Sequence, residues 1–198
     1  MKDRIEVVAS GFGGQGVVRL GQILGEAGVK QGLRVTMLKS HGTEMRGGYV
    51  RSQVVLAKKV VDSPMCESPD YFIALTSAAY NRFKHTVPED GLILYDPAFV
   101  EEIDNTLPCK QKPLPAKQLA MDHFGKVIFS NSIALGAMAK ILENYLKKEI
   151  VLESILEILP KFKQENEAAF NVGFDYIASL TRANSMTALT GDERLVVD

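Results

Sequence analysis

A chain of 198 residues with formal net charge −1, 46% hydrophobic and 24% charged residues, can bury one core and carries no bulk field to draw it to nucleic acid or an anionic bilayer. Its longest uncharged apolar run, 127–139, is broken by Ser130, Asn131 and Ser132 and falls short of the roughly 20 residues of a membrane-spanning helix. The opening MKDRIEVVAS puts charges where a secretion signal needs apolar residues, and Cys66 and Cys109 make no CxxC pair, so a cytoplasmic chain that binds no metal or iron–sulfur cluster by itself is expected.

Residues 4–9, RIEVVA, form a short β-branched run that meets the glycines of GFGGQG at once, and then Val17, Leu20, Leu24, Ala27 and Gly28 recur at helical spacing. After Gly32, LRVTML (33–38) reads as a second strand, completing a βαβ unit with parallel strands and a right-handed crossover. KSHGTEMRGG (39–48) is a polar loop, YVRSQVVLA (49–57) a third strand, and Asp62 with Pro64 a turn. YFIAL (71–75) reads as a buried strand, SAAYNRFKH (77–85) as a short helix, and GLILYD (91–96) as a strand that stops where Pro97 cannot pair, with Asp96 initiating a turn. Pro108, Pro113 and Pro115 make 104–118 a meandering connection, followed by one or two helical turns in AKQLAMDHFG.

The last third is helical. Ser130 or Asn131 caps SIALGAMAKILENYL, in which Ala134, Met138, Ile141, Leu142 and Tyr145 share a face. EIVLESILEIL ends before Pro160, and the helix in 161–180 carries Phe162, Ala169, Phe170, Gly173, Tyr176, Ile177 and Leu180 on one side. Beyond Arg182 the periodicity is lost, so a single domain is expected over 1–182, with 183–198 a flexible or partner-docking tail. Strands alternating with helices predict an α/β, Rossmann-like layered fold with a mainly parallel sheet and a C-terminal helical layer.

Two segments carry chemistry. Gly11, Gly13 and Gly16 form a GxGxxG pattern between strand and helix, where a tight turn, close phosphate approach and helix–strand packing each favour glycine and the helix amides face an anion. A redox dinucleotide also needs an acid at the end of the second strand, and here Leu38, Lys39 and Ser40 stand there. Lys39 is then either a partner for a 2′-phosphate or a solvated charge. In the second segment, Gly42, Gly47 and Gly48 free the backbone around Arg46, which can grip a phosphate or carboxylate with two prongs. With parallel strands both loops lie at one sheet edge and flank one crevice. His41 and Glu44 nearby have no nucleophile or metal partner in the sequence, and His41, His85 and His123 show no ligand spacing. A single RGG in a neutral chain does not support RNA binding.

GFGGQG after the first strand, RGG after the second, the DYFIAL strand and NSIALGA opening a late helix together resemble the gamma subunit of the 2-oxoacid:ferredoxin oxidoreductases. The resemblance implies an accessory subunit, inactive alone, of a cytoplasmic complex that oxidatively decarboxylates a 2-oxoacid, 2-oxoglutarate foremost, with coenzyme A to acyl-CoA, carbon dioxide and reduced ferredoxin. It implies that the complex uses thiamine diphosphate, Mg2+ and an iron–sulfur cluster held by other chains, with coenzyme A as substrate. The implied partners are alpha, beta and ferredoxin-like subunits, with ferredoxin as electron acceptor, and neither nucleic acid nor membrane. The positions carried over as cofactor-binding are Gly11, Gly13, Gly14, Gln15, Gly16, Gly42, Arg46, Gly47, Gly48 and Asn131; no catalytic residue is assigned. The KSHG lead-in departs from the pyruvate and 2-oxoglutarate branches, and His41 resembles the indolepyruvate-type beta subunit. Two other readings stay open, a free-standing NAD(P)-dependent Rossmann enzyme and a pure scaffold.

Overall fold

A computed structural model describes residues 2–41 and 49–190, with side chains through Arg182 except that of His41. In chain order its elements are β1 (Arg4–Phe12), α1 (Val17–Lys30), β2 (Arg34–His41), β3 (Tyr49–Ala57), β4 (Tyr71–Ala74), α2 (Ser77–Phe83), β5 (Leu92–Tyr95), β6 (Lys110–Pro113), α3 (Ala116–Phe124), α4 (Ser130–Ile141), α5 (Lys148–Ile158) and α6 (Lys163–Thr190). The six strands form one sheet in the order β2-β3-β1-β4-β5-β6. β1, β4, β5 and β6 pair in parallel, while β3 is antiparallel to both of its neighbours, β1 and β2. The α/β layered fold with a mainly parallel sheet is therefore the one expected.

The first unit differs from its expectation in one respect. β1 and β2 do run in the same direction, but β3 lies between them. The physical reason is the connection 42–48, which is long enough for an antiparallel return and well short of the dozen or more residues that a parallel crossover requires. β3 pairs along nine residues with β1, from Arg4↔Ala57 to Phe12↔Tyr49. The meandering connection likewise contains a strand: β6 pairs with β5 at the sheet edge, where Pro113 ends it, an edge being where a strand tolerates proline.

Side chains alternate across the sheet. Ile5, Val7, Ala9, Val54, Leu56, Ile73 and Leu94 face the larger core, which α1, α4, α5 and α6 cover. Val8, Val55, Phe72 and Ile93 face the smaller one, closed by Tyr80 and Phe83 of α2 and by Cys66, Val100 and Cys109 from irregular segments. So the chain leaves β1 toward one face and β4 toward the other. In a parallel sheet such a reversal opens a crevice at the carboxyl ends of the strands.

The C-terminal helical layer is set by backbone proximity. A Cβ on Gly136 of α4 would overlap the Phe170 carbonyl of α6, and one on Gly173 would overlap the Ile133 carbonyl, so the two helices cross in direct main-chain contact. α4 is buried from Ser132 to Ala139 on every side, rather than along the single stripe expected, because α6, α3 and α5 pack around it. Neither Ser130 nor Asn131 caps it with a side chain. A 3₁₀ turn, Val127–Phe129, leads in, and Ser130 Oγ donates to Val127 O at 2.6 Å. Phe162, expected on the packed face of the last helix, precedes α6 and is 45% exposed.

Candidate functional site

β1 ends at Phe12 and the glycines follow. Gly11 is the last but one strand residue, paired with Val50, and a Cβ there would overlap Gln15 Oε1 and come 2.9 Å from Leu75 Cβ. Its role is close packing against the end of β4, not a turn. Gln15 staples the two strand ends: Phe12 N donates to Gln15 Oε1 at 2.6 Å, and Gln15 Nε2 donates to Leu75 O at 3.1 Å. Gly16 is the N-cap of α1 at φ 74 with no side-chain cap, and a Cβ there would overlap the Asn131 amide at the start of α4. Gly14 has φ 88, which demands glycine by conformation, and Gly13 meets nothing within 4 Å of a Cβ position.

The start of α1 is thus a helix N-terminus with neither capping side chain nor acidic residue in its first turn, and its leading amides have no intrahelical acceptors. A depression of about 300 Å³ lies against it, walled by Phe12, Gly13, Gly14, Gly16, Val17, Val18, Arg19 and Val50. Arg19 is exposed and adds a full positive charge where the helix dipole is already positive. Sequence reasoning passed over this arginine; its signal was a lone cation in the first turn after the glycines. Gly42, Arg46, Gly47 and Gly48 lie outside the described residues. The described residues on either side of that connection lie at this edge, since His41 pairs with Val50, Val50 with Gly11 and Tyr49 with Phe12.

On the other side of Gly14 and Gln15 is a cavity of about 200 Å³, lined by Leu75, Asp96, Phe99, Ala116, Val127, Ile128, Ser130 and Asn131. Asp96 is 3% exposed. Its Oδ1 accepts from Ala98 N and its Oδ2 from Lys117 N, each at 2.9 Å, so the expected turn initiator also ties the end of β5 to α3. Burial holds its carboxyl above the usual range, opposed by the Lys117 and Ala98 amides. The Asp96 cavity thus has a carboxyl group in its lining, whereas the Gly13–Arg19 depression has none.

The geometry does not favour a redox dinucleotide. In that fold the second strand lies next to β1 and carries the ribose-binding acid at its carboxyl end; here antiparallel β3 separates β2 from β1, so Lys39 lies one strand farther out. Among the described residues no three His, Cys, Asp or Glu side chains could hold a metal ion, and no helix is long and apolar enough to cross a membrane. His85 and His123 are exposed. Both thiols are free and buried; burial, reinforced by Glu6, pushes Cys66 up to about 12.

The sequence pattern of the pyruvate ferredoxin/flavodoxin oxidoreductase family matches residues 6–176. The chain is 33% identical to the 2-oxoglutarate synthase subunit KorC of Methanocaldococcus jannaschii, over 91% of this chain and 97% of that one. Its fold is similar to the gamma subunit of a keto/oxoacid ferredoxin oxidoreductase from Geobacter sulfurreducens, with TM-score 0.78 and 28% identity over 88% of this chain and 99% of that one. The fold recurs as part of a longer chain in a 2-oxoglutarate:ferredoxin oxidoreductase from Magnetococcus marinus, with TM-score 0.77 and 23% identity over 92% of this chain and 32% of that one.

Proposed function

Since the chain belongs to the pyruvate ferredoxin/flavodoxin oxidoreductase family, as one of its gamma-type chains, we propose that it is the accessory subunit of a complex that oxidatively decarboxylates 2-oxoglutarate with coenzyme A. The products are succinyl-CoA, carbon dioxide and reduced ferredoxin, with the thiamine diphosphate, Mg2+ and iron–sulfur cluster of the complex bound by partner chains. The choice of 2-oxoglutarate rests on the KorC relative, which aligns along 97% of its own length. In this reading the chain takes no part in bond making; its glycine loop holds a phosphate of coenzyme A, and Arg46 is assigned as a second contact to it.

The observation that carries the ligand role is Gly13. Gly11 and Gly16 are explained by side chains of this protein, and Gly14 by its positive φ, whereas a Cβ at 13 would point into open space. A glycine with no internal reason, beside uncapped helix amides and Arg19, fits a main chain bared for an anion. The test is steady-state kinetics of the assembled complex. Gly13→Val and Arg19→Ala should each raise the coenzyme A KM about 10-fold or more, as loss of a charge-assisted contact does, with kcat little changed. An unaltered KM in both would leave the scaffold reading. That reading is supported in its own right by the Gln15 staple and the Gly16–Asn131 contact, and it expects Arg46→Ala to weaken assembly while leaving coenzyme A kinetics unchanged.

A further inference from the structure

Half of the large apolar side chains exposed among the described residues, Phe12 (42%), Val127 (44%), Ile128 (61%) and Phe162 (45%), border the depressions at this end of the molecule. Besides the two already described there is a third, about 360 Å³, between the 3₁₀ turn before α4 and the connection from α5 to α6. Its apolar wall includes Ile128, Phe129, Ile158, Leu159 and Phe162, and its charged lining is Arg19 and Lys161, with no carboxylate.

This wall is held rigidly, and at a cost. Phe162 has φ 57, the sole positive-φ non-glycine position among the described residues, a conformation that costs an L-residue roughly 1–2 kcal/mol. Asn166, 5% exposed, enforces it: its Nδ2 donates to Lys161 O at 2.9 Å, its Oδ1 accepts from Ser132 Oγ at 2.7 Å, and its backbone N donates to Phe162 O at 2.9 Å. The Phe162 ring stands edge-on to Phe129 with centroids 6.0 Å apart, and Lys126 Nζ sits 5.1 Å from its centre. A turn alone would be met more cheaply by glycine or asparagine. Strain of this kind concentrates where a surface must be kept ready for a ligand or partner.

We infer that this pocket is the seat of a partner subunit of the complex, occupied by a segment that presents an aliphatic or aromatic anchor flanked by carboxylates. The inference rests on the reading of the chain as a subunit. The apolar wall selects the anchor, and Arg19, Lys126 and Lys161 select the acids. Continuity gives the contact a consequence: Arg19 borders both this pocket and the glycine depression, and Ile128 borders both this pocket and the Asp96 cavity. A partner seated here adjoins both and walls them from solvent.

The test is assembly of the full complex from co-expressed subunits, read by native mass spectrometry and by dissociation on dilution, with thermal unfolding of each isolated variant alongside. Phe162→Asn keeps a residue that accepts positive φ while removing the ring; this variant and Ile128→Asp should remain folded and weaken assembly about 10-fold or more, the effect of losing an interface anchor. Lys161→Glu should weaken it by a factor that shrinks as salt rises, and Val60→Asp, at a position 83% exposed and remote from the pocket, should leave it unchanged. Assembly of the Phe162→Asn and Ile128→Asp complexes as tight as wild type overturns the inference. So does a wild-type chain that self-associates through this face, with the variants abolishing only the self-association. A chain that joins no other subunit overturns both this and the functional reading. Unaltered coenzyme A kinetics in Gly13 and Arg19 variants of an intact complex overturns only the ligand role.

Discussion

Gly13 and Gly16 stand three positions apart in one loop and have opposite reasons to be glycine. At Gly16 a positive φ and the Asn131 amide both exclude a side chain, so Gly16→Ala is expected to lower unfolding stability by about 2 kcal/mol, the left-handed penalty plus displacement of Asn131. At Gly13 the space is open, and Gly13→Ala should change stability by less than about 0.5 kcal/mol. Urea unfolding of the two isolated variants checks the contrast. Equal losses would mean that the loop is built for packing at both positions.

Helix pairing supplies the corresponding test among the elements. α4 and α6 touch through main chain at Gly136 and Gly173, so Gly173→Ala must push the helices apart or bend one of them. Overpacking of a filled core costs typically 1–3 kcal/mol, and here the obstacle is backbone, which repacks less readily than side chains. A loss near or above about 3 kcal/mol is expected in chemical denaturation, whereas Gly125→Ala, whose Cβ position is open but whose φ is 65°, should lose only about 1–2 kcal/mol. The periodicity of 161–180 announced a packed helix, and Gly173 on its apolar side is buried as expected. Nothing local announced that Gly136 would be its counterpart, because which helix lies opposite depends on how α3, α4, α5 and α6 stack on one another.

For the protein as a unit, the two cores make stability depend on alkaline pH. Cys66, 5% exposed, is raised from 9.0 to about 12. A folded-state value above the unfolded one means that the thiol's contribution is fully present below about pH 9 and is lost as pH climbs toward 12, because the unfolded chain then ionises and the folded one does not. The decline should reach at most about 1.4 kcal/mol per pH unit from this group. Cys109 and Tyr71, also raised chiefly by burial, act with the same sign, so Cys66→Ala should make the decline shallower between pH 9 and 11 without removing it. An unchanged slope would mean that Cys66 is solvated in the native protein.

What the amino-acid sequence determined by itself is whatever a segment reports about its own surroundings. Alternation and helical spacing gave β1, α1, β2, β3, β4, β5 and α5 close to their observed bounds, because each of these elements buries a regular subset of its own residues, whereas α6 continues to Thr190, past the 161–180 where its apolar spacing was legible. The glycine pattern marked the loop that opens the crevice. What only the tertiary structure decided is partnership: that β3 inserts between β1 and β2, that β6 joins an edge through a proline-rich stretch, and that Asn166 locks Phe162 into a strained, half-exposed wall. Each of these depends on groups distant in sequence meeting at hydrogen-bonding or van der Waals range, where loop length and competing partners settle the outcome and local pattern carries no trace of it.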